Sequence, residues 1–238
     1  MKTTNSVFGA LLLTAVLVLA ISIVHAQPTG TDITFNETDF GPTIGPSNRT
    51  DDGGTITTLV LDALQQTNRW KAYIGNVTGS LTLDDGGGNT IFSWTLDLSS
   101  LTGEVYSTRS NTVSWADIRC ADTTLISGEE SFLNMDPNGI YTINNTFNET
   151  THPQLTIGSN VITTNTCRST STYVSNAPQA IGSADFPLIL LDDETDLVYT
   201  NIINSQTTGY DGSAYDFQMI VPNNPFDTTQ YFFYVQLG

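Results

Sequence analysis

The chain is poor in positive charge. Its 238 residues include 7 Lys and Arg against 24 Asp and Glu, giving a formal net charge of −17. No lysine follows Lys71. Because binding to nucleic acid through the phosphates requires clustered Lys and Arg, this composition excludes a sequence-independent nucleic-acid binder.

Histidine and cysteine are also scarce, with two of each. The chain has no Gly-x-Ser-x-Gly, no His-Glu-x-x-His, no phosphate-binding glycine loop and no CxxC pair. His152 has no nucleophile motif to accompany it, as a catalytic triad would require. Neighbouring acids such as Asp84 and Asp85 are poorly placed to face each other across a sugar, at about 5–10 Å, as glycosidase carboxylates do. We therefore predict that the protein is not an enzyme.

The first 26 residues have the pattern of a signal peptide. Lys2 precedes an uncharged run over residues 7–24, and Ala26 ends a small-residue cleavage site. A run of this length could instead be a membrane anchor, or the leader of a type IV pilin, although Pro28 disfavours the long helix of a pilin. We predict cleavage after Ala26, a secreted or cell-surface location, and no membrane contact afterwards.

The two cysteines, Cys120 and Cys167, are expected to form a disulfide, because an exported protein meets an oxidising environment. A bridge closing the long loop between them would contribute about 4 kcal/mol in the chain-entropy model. Two separate buried thiols are the alternative. The spacing of the two cysteines, with His152 as the one histidine of the mature chain, does not fit a zinc site.

A segment rich in glycine and proline follows the cleavage site, over residues 27–54. These residue types block helices and interrupt strand pairing. Within the segment, Thr31–Asn36 alternates, with Ile33 and Phe35 on one side and polar residues on the other. Such a strand can begin the protein's own sheet, or it can be donated to a neighbouring molecule.

From Thr55 onward, short strand-like segments alternate with turns, and threonine is the most abundant residue of the chain. The clearest hairpin signal is the turn Asp84–Gly88 between two alternating segments. A single short helix is expected near Ser127–Met135, with Glu129 and Glu130 at its positive N-terminal end. We predict an all-β protein: one β-sandwich or jelly-roll domain over residues 55–238, with residues 27–54 as an extended N-terminal tail. The predicted strands are Thr55–Leu61, Tyr73–Leu83, Thr90–Leu98, Gly103–Thr108, Thr112–Trp115, Leu155–Ile162, Thr170–Ser175, Phe186–Leu191, Leu197–Ile203, Ala214–Val221 and Gln230–Leu237.

Several asparagines stand in Asn-x-Thr motifs, which accept N-linked glycans in exported proteins. Chance alone predicts about as many in a chain so rich in Asn and Thr, so the number of motifs is not informative. Covalent glycans are nevertheless expected on an exported protein. The candidate acceptors are Asn36, Asn48, Asn76, Asn144 and Asn148.

One acidic cluster is a candidate calcium site, because hard cations prefer clustered oxygen ligands. It comprises Asp192, Asp193 and Asp196, with Glu194 between them. The spacing is not that of an EF-hand loop, and solvated turn residues are the favoured alternative. No other metal or cofactor is predicted.

Five aromatic residues lie close to four basic residues in the first half of the chain, which holds six of the seven Lys and Arg. The aromatic residues could form a sugar-stacking face, although their alternation with aliphatic residues favours packing in the core. Beyond residue 120 the only cation is Arg168, so the acidic half of one copy could meet the more basic half of another. A solvated acidic surface is the alternative. The residues concerned are Trp70, Tyr73, Trp94, Tyr106 and Trp115, with Arg69, Lys71, Arg109 and Arg119.

Residues 55–125 and the last eight residues resemble secreted archaeal surface glycoproteins. The similar stretches are Asn68–Gly79 with Ser93–Trp94, Gly103–Tyr106, Trp115–Cys120 and Tyr231–Gly238. Proteins of this kind resemble pilus-like subunits of extracellular filaments, in which an N-terminal strand of one copy completes the fold of the next. The resemblance implies a head-to-tail homopolymer, with Ile33 and Phe35 in the donated strand, and it supplies no catalytic residues. A secreted polysaccharide-binding or glycoside-hydrolysing sandwich, or an S-layer-type surface protein, is the alternative.

Overall fold

The structure is a computed structural model that describes residues 26–42 and 45–238. Apart from Ala26, the predicted signal peptide lies outside the described residues. Within them, no helix has both the length and the apolar character needed to cross a membrane.

The described chain contains fifteen strands, two short α-helices and one 3₁₀ turn. The strands are β1 Thr29–Gly30, β2 Trp70–Gly75, β3 Leu81–Asp84, β4 Thr90–Trp94, β5 Gly103–Thr108, β6 Arg119–Cys120, β7 Leu155–Ile157, β8 Asn160–Ile162, β9 Ser169–Ser171, β10 Pro187–Asp192, β11 Leu197–Ile202, β12 Thr207–Thr208, β13 Ala214–Tyr215, β14 Phe217–Pro222 and β15 Phe232–Leu237. The helices are α1 Thr123–Phe132 and α2 Ile143–Thr146, and the 3₁₀ turn is Ile181–Ser183. The predicted all-β class is confirmed.

A seven-stranded antiparallel sheet forms the centre of the protein. Its strand order is β1-β15-β5-β11-β10-β6, and β9 pairs with β10 beside β6. All residues of β10 are buried, and so are the first five of β11. The reason is visible in the sequence of β10, Pro-Leu-Ile-Leu-Leu-Asp, which is apolar on both sides, as expected of a strand covered on both faces.

Each face of this sheet carries its own core. On one face, Leu188, Leu190 and Tyr199 pack with Ile126 of α1 and Met219 of β14. We call this cluster the helix-side core. The β2–β14 ribbon, in which Trp70 to Gly75 pair with Pro222 to Phe217, provides part of its cover.

On the other face, Ile189, Leu191 and Val198 pack with Trp115 and Cys167. We call this cluster the disulfide-side core. The short β7–β8 hairpin contributes Leu155, Ile157 and Ile162 to it. The central strands therefore lie between two covering layers, and alternate residues of each strand enter opposite cores.

The predicted helix begins earlier than expected. Asp122 caps α1, its carboxylate accepting a hydrogen bond from the Thr124 N–H at 2.7 Å. Glu129 and Glu130 consequently lie in the second half of the helix, away from its positive end. Glu129 is buried and pairs with Arg109, with Nε to Oε1 at 2.6 Å.

Two predicted strands are absent. Thr55–Leu61 has no strand partner and its large apolar side chains are exposed. Thr112–Trp115 lies in a loop, where Trp115 is buried against Tyr106 with ring centroids 5.1 Å apart. Both segments are β-branched, but a strand also needs a neighbour with free hydrogen-bonding groups.

Other predicted strands are divided by turns. Leu155–Ile162 is the β7–β8 hairpin, because Gly158 adopts a φ of 56° at its turn. Tyr73–Leu83 is interrupted between β2 and β3, and Ala214–Val221 between β13 and β14. The predicted hairpin of β3 and β4 is confirmed, with Asp85 accepting backbone hydrogen bonds across its turn.

Candidate functional site

The predicted disulfide between Cys120 and Cys167 is present, with the two Cα atoms 4.8 Å apart. It ties β6 to the loop before β9. His152 is buried beside it, and its Nε2 accepts hydrogen bonds from the N–H groups of Thr166 and Cys167 at 3.0 and 2.9 Å. This histidine therefore has a structural role in holding the bridged loop.

The candidate calcium cluster forms the turn between β10 and β11. Asp192 is fully buried, accepts the Asp122 N–H at 2.7 Å and pairs with Arg119 at 2.9 Å. Burial acts to raise the pKa of Asp193, but hydrogen bonds from the N–H groups of Asp196 and Ser114 hold this pKa below its usual value. Within the described residues, no group of three or more His, Cys, Asp and Glu side chains is arranged to hold a metal ion. The carboxylates of this cluster accept hydrogen bonds from the protein itself, and their arrangement does not support calcium binding.

The five aromatic residues considered as a sugar-stacking face do not form one. Tyr106 and Trp115 are buried in the disulfide-side core. Trp70 and Tyr73 are half-buried against the helix-side core, and the Trp70 Nε1–H donates to the Tyr141 carbonyl at 2.8 Å. Only Trp94 is exposed, so packing accounts for most of this set.

The basic residues of the first half are engaged within the chain. Arg69 donates to the Asn134 carbonyl at 2.7 Å, and Lys71 donates to the Thr229 carbonyl at 2.7 Å. Burial lowers the pKa of Lys71. Arg119 bridges Asp192 and Glu194, as Arg109 pairs with Glu129. Arg109 and Arg119 are thus paired with carboxylates of their own chain, whereas Arg69 and Lys71 are held by neutral carbonyls.

All five candidate glycan acceptors are exposed. Two of them lie in the tail, one follows β2, and two lie at or just after α2. Their surface positions are compatible with attached sugars. These residues are Asn36, Asn48, Asn76, Asn144 and Asn148.

The tail is the part of the described chain that its own fold covers least. Between Gly30 and Trp70, no described residue belongs to a helix or strand. Ile33 and Phe35, the two side chains of the predicted donor strand, are 65% and 78% exposed. Exposure continues beyond residue 54, where the apolar side chains at the surface include Ile56, Leu59, Val60, Leu61 and Leu64.

The start of the tail nevertheless reaches the central sheet. Pro28 is buried, and β1 pairs antiparallel with β15, placing Thr29 opposite Val235 and Gly30 opposite Tyr234. Thr31 then donates its N–H to the Phe233 carbonyl at 3.3 Å. On its other side, β15 pairs with β5 along all six of its residues. The outer edge of β15 is thus closed only over a short length.

A second apolar surface lies on the β3–β4 hairpin. Leu81 stands opposite Trp94 and Leu83 opposite Phe92, which places all four side chains on one face, and all four are exposed. The rings of Phe92 and Trp94 meet edge to face with centroids 5.0 Å apart. Neither β3 nor β4 pairs with another described strand.

The sequence pattern predicts the island at Ile33 and Phe35, but two features of the structure have no signal in it. The pairing of Thr29 with β15 leaves none, because two residues carry no periodic pattern. The exposure of the β3–β4 hairpin leaves none either, since alternation predicts an apolar face and does not reveal what covers it.

Comparison of the chain with protein-family models, with curated proteins and with solved structures finds no match. The described structure shows an all-β protein with one disulfide and an N-terminal tail whose apolar side chains are exposed. The tail and the edge of β15 form the candidate site.

Proposed function

We propose that this protein is the structural subunit of an extracellular filament and that it polymerises by donating an N-terminal strand to the next copy. The observation that carries the proposal is the exposure of Ile33 and Phe35. These side chains alternate as in a strand, yet their own fold leaves them at the surface. Exposed apolar strand segments commonly mark sites of association with another chain.

The tail has the reach that this function needs. At about 3.3 Å per residue, residues 27–54 span up to roughly 90 Å when extended. Pairing with a sheet in a second copy would satisfy the backbone groups of Thr31–Asn36 and remove both apolar side chains from water. A head-to-tail contact that does not close into a ring generates a fibre.

An extracellular location fits the disulfide and the predicted signal peptide. Disulfides persist in oxidising compartments and are rare in the cytosol. Surface-exposed glycans on the five candidate asparagines would fit the same location. The resemblance to archaeal filament glycoproteins supports this assignment, and the subunit is proposed to act without catalysis.

The test is assembly of the mature chain, residues 27–238. Electron microscopy of the purified protein is expected to show filaments. The double variant Ile33→Asp, Phe35→Asp places charge where the apolar contacts form, so it is expected to remain as single subunits in size-exclusion chromatography.

A matched control changes two other exposed apolar residues of the tail region. Phe40→Asp with Ile56→Asp adds the same charge outside the island and is expected to leave filaments intact. Filaments from the Ile33→Asp, Phe35→Asp variant would refute donation of this strand. A mature chain that never assembles would refute the filament function itself.

A further inference from the structure

The outer edge of β15 is occupied by its own chain at a few positions only. Thr29 and Gly30 pair with it, and both the N–H and the hydroxyl of Thr31 donate to the Phe233 carbonyl at 3.3 Å. From Asp32 onward the tail leaves the sheet, and no described strand continues along this edge.

A shallow, open depression of about 400 Å³ lies on the surface where the tail leaves the edge. Its walls include Thr31 and Asp32 of the tail, Asn111, and Phe232 and Phe233 of β15. Gly30 and Tyr234, which pair with each other, also line it, so the depression lies at the point where the pairing of β1 with β15 ends.

The register of β1 predicts where an extended strand would place its side chains. In an antiparallel pair, opposed residues share a face, and the register advances by one residue on each strand. The existing pairs place Thr29 opposite Val235 and, through its hydrogen bond, Thr31 opposite Phe233. Continued by two residues, the same register places Ile33 opposite Tyr231, the residue that immediately precedes β15.

The face concerned is apolar. Phe233, Val235 and Tyr231 all pack with the helix-side core, and Phe233 meets Tyr73 edge to face at 4.9 Å. Since side chains alternate, Ile33 and Phe35 would project toward this same face. A strand in this register would therefore extend the helix-side core across the edge of the sheet.

We infer that the outer edge of β15 is the acceptor for the donated strand and that a second copy's Thr29–Phe35 binds there in the register set by β1. This inference rests on the proposed filament function and specifies its acceptor. Each copy carries the same strand and the same edge, so the exchange replaces a short pairing within one chain by a longer one between two chains. The strand given up has two residues, whereas the strand gained would pair along β15 as far as Phe232 and continue beside the three residues that precede it.

The test is cross-linking between two differently substituted mature chains. The pair that follows Thr31–Phe233 in this register is Asp32–Phe232, a non-hydrogen-bonded pair with Cα atoms about 4.5 Å apart, within reach of a disulfide. One preparation carries Asp32→Cys and the other Phe232→Cys. They are mixed, assembled and oxidised, and the bridge is located by mass spectrometry. A dimer joining the two preparations can form only between molecules.

The matched control pairs Thr31→Cys with Phe232→Cys, whose side chains lie on opposite faces in this register. The first mixture is expected to give a covalent mixed dimer in assembled material, and the control to give little. Thermal unfolding of each single variant near the parent temperature shows that the fold is kept.

The outcomes separate the inference from the function. Normal filaments without the mixed dimer of the Asp32→Cys and Phe232→Cys chains would overturn β15 as the acceptor and leave filament assembly standing. An equal yield from the control would overturn the register. Failure of the parent chain to form filaments would overturn the function and this inference together.

Discussion

The central sheet and the β3–β4 hairpin are both antiparallel and both contain a strand with several apolar residues, yet the leucines of these strands lie in opposite environments. Leu190 of β10 is fully buried, whereas Leu83 of β3 is 55% exposed. The central strands are covered by α1, α2 and the β2–β14 ribbon on one face and by the bridged loop on the other. The difference shows that local pattern specifies a strand, while its burial depends on what the rest of the chain brings to it.

The tail resembles the hairpin in this respect. Ile33 and Phe35 alternate as strand residues do, but no described part of the chain covers them. A two-stranded hairpin is marginally stable alone in water, and an isolated strand is less so. We call the central sheet with its two cores the body. The body should therefore account for most of the free energy of unfolding, and the tail and hairpin should contribute little.

The largest effect should come from the disulfide. Replacing Cys120 and Cys167 by Ser, in a chain that also carries Ile33→Asp and Phe35→Asp, is expected to lower the free energy of unfolding by about 4 kcal/mol, because the unfolded chain regains the entropy of an open loop. Chemical denaturation, with and without reduction of the parent, measures this. A loss below about 1 kcal/mol would mean that the two cores hold the body without the bridge.

A matched pair of leucines tests the comparison directly. Leu190→Ala leaves a cavity in the helix-side core and is expected to cost about 3 kcal/mol of unfolding free energy. Leu83→Ala, on the exposed hairpin face, should change it by less than about 0.5 kcal/mol. Urea titration of both variants measures the difference. Equal losses would show that the hairpin is part of the folded core.

The pH dependence of stability should distinguish a carboxyl group in the central sheet from one in the tail. Burial raises the pKa of Glu104 in β5 to about 7, although a hydrogen bond from Tyr106 acts in the opposite direction. Between its ordinary pKa of 4.5 and pH 7, the unfolded chain loses this proton while the folded chain keeps it. This carboxyl's contribution to stability is therefore present below pH 4.5 and is lost as pH rises to 7.

Glu104→Gln is expected to match the parent near pH 4 and to exceed it in stability near pH 8. Denaturation curves over this pH range provide the measurement. Glu37→Gln, which changes an exposed carboxylate of the tail, is the control and should follow the parent at every pH. A Glu104→Gln curve that follows the parent as well would show that Glu104 is solvated in the folded state.

Much of the body could be predicted from local pattern. The sequence predicts a strand over Gly103–Thr108, the bounds that β5 has, and its predicted strand Leu197–Ile203 differs from β11 by one residue. Export, inferred from the N-terminal residues, made the Cys120–Cys167 bridge the favoured pairing. These features depend on signals contained in a few neighbouring residues or on a pair with no competitor.

The candidate site was less accessible from the sequence. The pairing of Thr29 with Val235 joins segments near opposite ends of the described chain and leaves no periodic trace. Glu129 was predicted to lie at a helix N-terminus, but its burial depends on Arg109, which is in a different element. Thr55–Leu61 has the composition of a strand and lacks a partner, which composition cannot show.

The order of strands in the central sheet has a kinetic consequence. β15 pairs with β5 on one side and with β1 on the other, and both of these strands are far from it along the chain. The entropy of closing such long loops is lost before the contacts form, and topologies rich in non-local pairing fold in milliseconds to seconds, far more slowly than helical bundles. We therefore expect the edge of β15 to form late in folding, so that a newly made chain would present the proposed acceptor edge only after most of its central sheet has formed.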